Sequence, residues 1–302
     1  MLVNPICGFL GSGKTTLMRR IIDERGGREP MAVIVNEFGD VGIDGAILSG
    51  HSVDMIELSS GCLCCTLKGS LVNALEELRD KKATRRVVIE ATGVAQPGEM
   101  LDVLADPALK GSVDVGPMVT VVDAAKFMGL RRVLGAFYTD QVRRADVLLL
   151  NKTDLAKPEQ LEAVRRQVTA LNPRATIVTT ERCNVELGVV LDRAAGAPEP
   201  SALEQGLASP APAASFVSFV VPVAFDADRA KLTRFFGALP PAIVRAKGFM
   251  RIDGEAATVQ FAAGQLELTA APSPRGFTLV FIASQEPDRT AIRQALEGTR
   301  RG

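Results

Sequence analysis

An α/β fold, built as a doubly wound and mostly parallel sheet and followed by a second, smaller α+β C-terminal domain, is predicted by three features of the sequence. Short apolar runs alternate with segments of helical periodicity up to about residue 195. Polar and charged clusters stand just past the carboxyl ends of those runs, where a doubly wound sheet holds its ligands. An Ala-, Pro- and Ser-rich stretch then breaks the pattern before a new group of strands begins.

Leu2 to Cys7 reads as a short buried strand despite Pro5, and Leu17 to Ile22 has the apolar spacing of a helix. Between them lies Gly8-Phe9-Leu10-Gly11-Ser12-Gly13-Lys14-Thr15-Thr16, with the G-x-x-x-x-G-K-[ST] spacing of a phosphate-binding P-loop in its required strand–loop–helix setting. Gly8, Gly11 and Gly13 let backbone N–H groups around Ser12 and Thr16 turn onto phosphate oxygens, and the helix N-terminus adds its positive end. Lys14 is placed to reach the terminal phosphates, and Thr15 offers a hydroxyl to Mg²⁺.

Met31 to Val35 is a second strand, ending in Asn36-Glu37-Phe38-Gly39-Asp40 and a glycine-punctuated loop that runs to about Gly50. Glu37 and Asp44 lie in that loop, where an acid orders around Mg²⁺, water or another metal; Asp44 equally suits a plain turn. Val53 to Leu58 delivers the chain to Ser60-Gly61-Cys62-Leu63-Cys64-Cys65, and Leu67 to Leu78 is helical. Arg86 to Glu90 is a strand ending in an acid ahead of Ala91-Thr92-Gly93. That is where nucleotide-hydrolysing folds place an acid near Mg²⁺ and a glycine amide, here Gly93, near the terminal phosphate, although a solvated strand-end glutamate fits too. Pro117 to Val122 closes on Asp123, which also suits a cap for the next helix. Val147 to Leu150 closes on Asn151-Lys152-Thr153-Asp154, and Thr176 to Val178 is the last short run.

The Asn-Lys-x-Asp cluster points to guanine. A carboxylate such as Asp154 accepts from both N1–H and the exocyclic amine of guanine, whereas adenine offers an acceptor at N1 and leaves the acid unpaired, which is costly. Asn151 is expected at the base edge and the stem of Lys152 along the base face. No second guanine-contact loop is clear between Thr179 and Glu186.

Five cysteines are present, three of them at Cys62, Cys64 and Cys65. In a reducing compartment such a cluster suits a ligand set better than a disulfide framework, and three thiolates suit Zn²⁺ best. A thiol redox centre and plain packing are the other readings. The fourth ligand stays open among His51, the chain's one histidine, Glu37 and a group lent by a partner. Cys7 and Cys183 stand alone and read as packing residues.

The first domain is expected over 1–195 and the linker over 196–214. The second domain, over 215–302, reads as strands at 216–225, 243–252, 258–262, 265–269 and 277–283. Helices are expected at 226–239, with Asp226 as N-cap, and at 289–296, both on one face of the sheet. With 302 residues, 47% of them apolar, the chain can bury two cores, and 35 basic against 35 acidic residues leave no net charge to draw it to nucleic acid or an anionic membrane. No signal-peptide layout opens the sequence and no run of about eighteen apolar residues occurs, so a soluble, cytoplasmic protein is expected.

In order and spacing the P-loop, Asn36-Glu37-Phe38-Gly39, Gly61-Cys62-Leu63-Cys64-Cys65, Ile89-Glu90-Ala91-Thr92-Gly93, Val121-Val122-Asp123-Ala124 and Asn151-Lys152-x-Asp154 resemble the CobW-like GTPases. Leu239-Pro240-Pro241, Arg245-Ala246-Lys247-Gly248-Phe249 and Leu279-Val280-Phe281-Ile282 are similar to that family's C-terminal domain. The resemblance implies GTP hydrolysis coupled to delivery of a metal to a client metalloprotein, with the Cys-x-Cys-Cys residues as the metal site. The metal is zinc in many members and cobalt or others in some. Many relatives carry a histidine-rich segment that this chain lacks. Two other readings of the chain are a GTP-gated interaction module with a structural metal ion, and a small-molecule kinase, for which nothing marks an acceptor pocket.

Overall fold

The computed structural model describes residues 1–36, 53–58, 66–91, 97–193, 216–262, 264–271 and 276–301. These form two compact units, Met1–Ala213 and Ala214–Gly302.

In the first unit the strands are β1 (Leu2–Cys7), β2 (Met31–Asn36), β3 (Asp54–Leu58), β4 (Arg86–Glu90), β5 (Asp114–Val115), β6 (Val119–Asp123), β7 (Val147–Asn151) and β8 (Thr176–Thr179). They make one sheet in the order β3-β2-β4-β1-β6-β7-β8, with β5 beside the start of β1, and every pairing is parallel. The helices are α1 (Lys14–Arg25), α2 (Thr66–Asp80), α3 (Pro97–Leu104), α4 (Phe127–Arg143), α5 (Pro158–Leu171) and α6 (Leu187–Leu191).

Strands β4, β6 and β7 are buried at every residue, as a sheet with both faces covered requires. The strand period of two then divides their side chains between two cores. Val87 and Ile89 of β4 face Leu71, Leu75 and Leu78 of α2 and Met100 and Val103 of α3. Val88 faces Leu17, Ile21 and Ile22 of α1 and Val190 and Leu191 of α6. Helices on both faces make the sheet doubly wound, as the alternation of apolar runs and helical segments predicts.

Because the strands are parallel, their carboxyl ends lie on one edge. The register sets Ile6 of β1 and Val35 of β2 beside Glu90 of β4, Asn36 beside Leu58 of β3, and Asp123 of β6 beside Asn151 of β7. The P-loop, Glu90, Asp123 and the Asn-Lys-x-Asp cluster all leave this edge.

The second unit is a sheet of order β13-β12-β11-β14-β9, antiparallel throughout, with a two-residue β10 running parallel to β11. Its strands are β9 (Val217–Pro222), β10 (Asp226–Ala227), β11 (Ile243–Ile252), β12 (Glu255–Ala262), β13 (Gln265–Ala270) and β14 (Thr278–Ala283), with α7 (Arg229–Gly237) and α8 (Arg289–Glu297). Leu232, Phe235 and Phe236 of α7 and Ile292 and Leu296 of α8 share one core with Ala246, Met250, Val259, Phe261, Leu279 and Phe281, so both helices cover the same sheet face. The expected cap of α7 is corrected. Asp226 pairs as a strand with Arg251 and its carboxylate accepts from the Gly254 amide at 3.1 Å, while Asp228 accepts from Lys231 N at 2.8 Å and caps the helix.

Candidate nucleotide site

The P-loop takes the backbone that its glycines permit. Gly8, Gly11 and Gly13 have φ of 139°, 72° and 119°, and a Cβ on Gly8 would lie 2.3 Å from the Val121 carbonyl oxygen. Gly13 stands at the N-cap of α1 and no side chain caps that helix, so the first-turn N–H groups have no intrahelical acceptor and face the loop. Behind the loop, Phe9 packs edge-on against Tyr138 at 5.9 Å, and Tyr138 in turn packs on Phe127 at 5.5 Å. Lys14 is buried along its stem and donates Nζ to the Phe9 carbonyl at 3.5 Å, folded over the loop it would serve. Gly11, Thr15 and Thr16 are exposed, and Ser12 is buried.

Thr15 and Glu90 meet. The Thr15 hydroxyl lies 3.2 and 3.4 Å from the two carboxylate oxygens of Glu90, which is 7% exposed at the end of the strand next to β1. A hydroxyl from the first turn of α1 and a carboxylate from the end of β4 form an oxygen donor set of the hard type that Mg²⁺ takes.

At the other side of the loop, Asn151 ties segments together. Its Nδ2 donates to the Ser12 carbonyl at 2.9 Å, and its Oδ1 accepts from Cys183 N at 2.8 Å and from the Thr180 hydroxyl at 3.1 Å. The sequence reading missed this 180–183 segment. It follows β8, returns to Thr153 through the Thr180 carbonyl, and lays Cys183 against Gly13, the thiol donating to the Gly13 carbonyl at 3.3 Å. Arg182 and Cys183 both have positive φ, at 49° and 54°, with no glycine to announce the turn. Burial pushes the Cys183 thiol up to about 11 and the Cys7 thiol up to about 12, so both are neutral buried groups near pH 7, in keeping with packing roles.

Lys152 has left-handed backbone (φ 62°), and Asp154 is exposed in the short turn that follows. Asp123 accepts from the Lys126 amide at 3.1 Å, which is the capping turn open to it from sequence, and its other oxygen lies 3.0 Å from Lys152 Nζ. That ion pair was not legible beforehand. Burial pulls the Lys126 ammonium below the usual lysine range, Asp123 draws it back, and the Lys152 charge lowers it again.

Glu37, Asp44, His51, Cys62, Cys64, Cys65, Thr92 and Gly93 lie outside the described residues. Among the described residues, no three or more His, Cys, Asp or Glu side chains gather to hold a metal ion, and no helix is long and apolar enough to cross a membrane.

A P-loop on β1, an acid at the end of the adjacent β4 and Asn-Lys-x-Asp two strands away on β7 define a GTPase of the P-loop class. More narrowly, the chain belongs to the CobW/HypB/UreG family. Residues 2–179 match the CobW/HypB/UreG nucleotide-binding domain, and residues 216–300 match the cobalamin synthesis protein cobW C-terminal domain. It is 31% identical to the zinc chaperone YjiA of Escherichia coli, the alignment covering 99% of this chain and all of that one. It is 29% identical to the zinc chaperone CobW of a Sinorhizobium species, covering 96% of this chain and 95% of that protein. With the zinc-regulated GTPase metalloprotein activator 1 of Schizosaccharomyces pombe it shares 37% identity over 59% of this chain and 45% of the relative.

Proposed function

We propose that this chain is a GTP-hydrolysing metallochaperone that carries a metal ion, zinc in the first place, on Cys62, Cys64 and Cys65 and releases it to a client metalloprotein. The observation that carries the nucleotide half is the contact of the Thr15 hydroxyl with the Glu90 carboxylate beside an uncapped helix N-terminus. Those two oxygen-bearing groups would hold Mg²⁺, which when bound neutralises charge on the β- and γ-phosphate oxygens.

The chain's own residues do the rest. First-turn amides of α1 and the glycine-rich loop bind the phosphates. Lys14 swings from the Phe9 carbonyl to the terminal phosphates, where its charge is worth more against the transition state. Asp154 accepts from both guanine donors, Lys152 lies along the base face, and Asn151 braces the loops that enclose the base. Glu37 and Gly93 are assigned to the γ-phosphate side of the site, Glu37 as an acid that would order around Mg²⁺, water or the cargo ion.

The cargo half is supported by the thiolate chemistry of the Cys-x-Cys-Cys motif and by relatives named zinc chaperones. Zinc affinity measured with GTP, with GDP and without nucleotide tests the whole reading. Differential affinity is expected, and linkage requires that zinc change GTP affinity by the same factor. Equal zinc affinity in the three states would leave a GTP-gated interaction module with a structural ion, for which hydrolysis would not change the rate of zinc transfer to a chelator.

A further inference from the structure

Asp123 ends β6 beside Asn151 in register, and the backbones of the two strand ends are locked together by Ala124 N donating to the Asn151 carbonyl at 2.9 Å. Its carboxylate is 2% exposed as a residue, and its two oxygens do different things. Oδ1 is held by the Lys126 amide at 3.1 Å, which fixes the plane of the group. Oδ2 has no aligned hydrogen-bond donor among the described residues, and its charge is met by Lys152 Nζ at 3.0 Å and Lys126 Nζ at 4.0 Å. A surface ion pair of this kind would be worth little, but here one partner is buried and immobile.

We propose that Asp123 is a positioning residue for guanine recognition: it anchors the Lys152 ammonium and so fixes the lysine stem across the face on which the base stacks. The proposal rests on the GTP reading above. A free lysine side chain samples many rotamers and must give them up when a base arrives. Anchored at its far end, Lys152 presents its stem already extended, and the base meets a prepared surface. The left-handed backbone of Lys152 aims the side chain back toward β6 rather than onward along the Asp154 turn.

The bland alternative is that Asp123 only caps the turn into α4, and one substitution separates the two roles. Asp123→Asn keeps an oxygen for the Lys126 amide, because Asn caps as well as Asp, but it removes the charge that holds Lys152. The dissociation constants of fluorescent GTP and GDP derivatives should both rise by about tenfold and by the same factor, since the loss lies at the base and not at the phosphates. KM for GTP should rise with them, with kcat within about twofold of wild type and inhibition by inorganic tripolyphosphate unmoved.

In a Lys152→Met background the same Asp123→Asn change should add nothing to the dissociation constants. It should also raise the melting temperature relative to Lys152→Met alone, which leaves a buried carboxylate without its nearer cation. If Asp123→Asn alone fails to fold, the Lys152→Met single and the double variant carry the comparison. Additive losses in the double variant, a fall in kcat with dissociation constants unchanged, or Lys152→Met binding GTP like wild type would each overturn the proposal. Wild-type protein that binds ATP and GTP alike would instead remove the guanine reading on which it stands.

Discussion

Asn151→Ala separates a brace from a base contact. The side chain is 2% exposed and makes three hydrogen bonds, to the Ser12 carbonyl, the Cys183 amide and the Thr180 hydroxyl. Each contributes about 1 kcal/mol net, and a buried group left without its partner costs about 1–3 kcal/mol. The Thr180 hydroxyl can rotate to another acceptor, but the Cys183 amide belongs to a residue held at φ 54° and the Ser12 carbonyl to the P-loop backbone, so neither can turn away cheaply. The expected loss is about 3–4 kcal/mol of unfolding free energy in nucleotide-free protein, a large share of the roughly 5–15 kcal/mol typical of a domain. Asn151→Asp should be no milder, because it sets a carboxylate against the Ser12 carbonyl. Urea denaturation without nucleotide is the assay, followed by GTP affinity on whatever fraction stays folded. A variant with an unchanged urea midpoint, weakened only in GTP binding, would make Asn151 a base contact alone and refute the brace.

Three further outcomes are expected. Glu90→Gln keeps an oxygen near Thr15 but removes its charge, so the Mg²⁺ concentration for half-maximal GTP hydrolysis should rise by roughly tenfold, with Mg²⁺-free GDP binding unmoved; an unchanged Mg²⁺ titration would take Glu90 out of the site. Asp154→Asn should weaken GTP on the order of a hundredfold and favour xanthosine triphosphate, whose C2 carbonyl suits an amide donor; equal preference in a competition assay would refute the guanine assignment. Burial raises Cys183 from 9.0 to about 11 and Cys7 from 9.0 to about 12, so both stay protonated in the fold while the unfolded chain ionises first. Their contribution to stability is therefore intact below pH 9 and should fall above it by about 1.4 kcal/mol per pH unit for each thiol. Urea midpoints of wild type and Cys183→Ala between pH 9 and 10 check this, and parallel curves would count against it.

Much of the site was legible because its chemistry dictates residue types. A phosphate loop needs glycines at positions of positive φ, and Gly8, Gly11 and Gly13 have it. A parallel sheet buried on both faces needs continuous apolar runs, and these marked β1, β4, β6 and β7 closely. What could not be read is direction. Asn151 is the right residue for a base edge, but an amide can turn either way, and here it turns onto two loops. The 180–183 segment was missed because its left-handed residues are Arg182 and Cys183, where a sequence reader looks for Gly or Asn. Asp226 and Asp228 stand two apart and either suits a helix cap, so only the pairing of Asp226 with β11 decides between them. The pair Asp123–Lys152 joins ends of adjacent strands across 29 residues and leaves no local pattern.

The strand order bears on how nucleotide and cargo would communicate. From β1, which carries the phosphate loop, to β3, which leads to the cysteines, is three strand steps, about 14 Å at the usual spacing. The strands between them are β4 and β2. Glu90 ends β4 beside Ile6 on one side and Val35 on the other, and Glu37 follows Val35 by two residues. On the metallochaperone proposal, coupling would pass from Thr15 and Glu90 through Glu37 to the cysteines. Glu37→Ala should bring the ratio of zinc affinities in the GTP and GDP states toward one, from a wild-type value in the range of about 5 to 150 usual for allosteric coupling. A zinc titration with a competing chelator in each nucleotide state reads the ratio directly. If Glu37 acts only as a fourth zinc ligand, affinity falls equally in both states and the ratio survives, and that result would show that coupling bypasses β2.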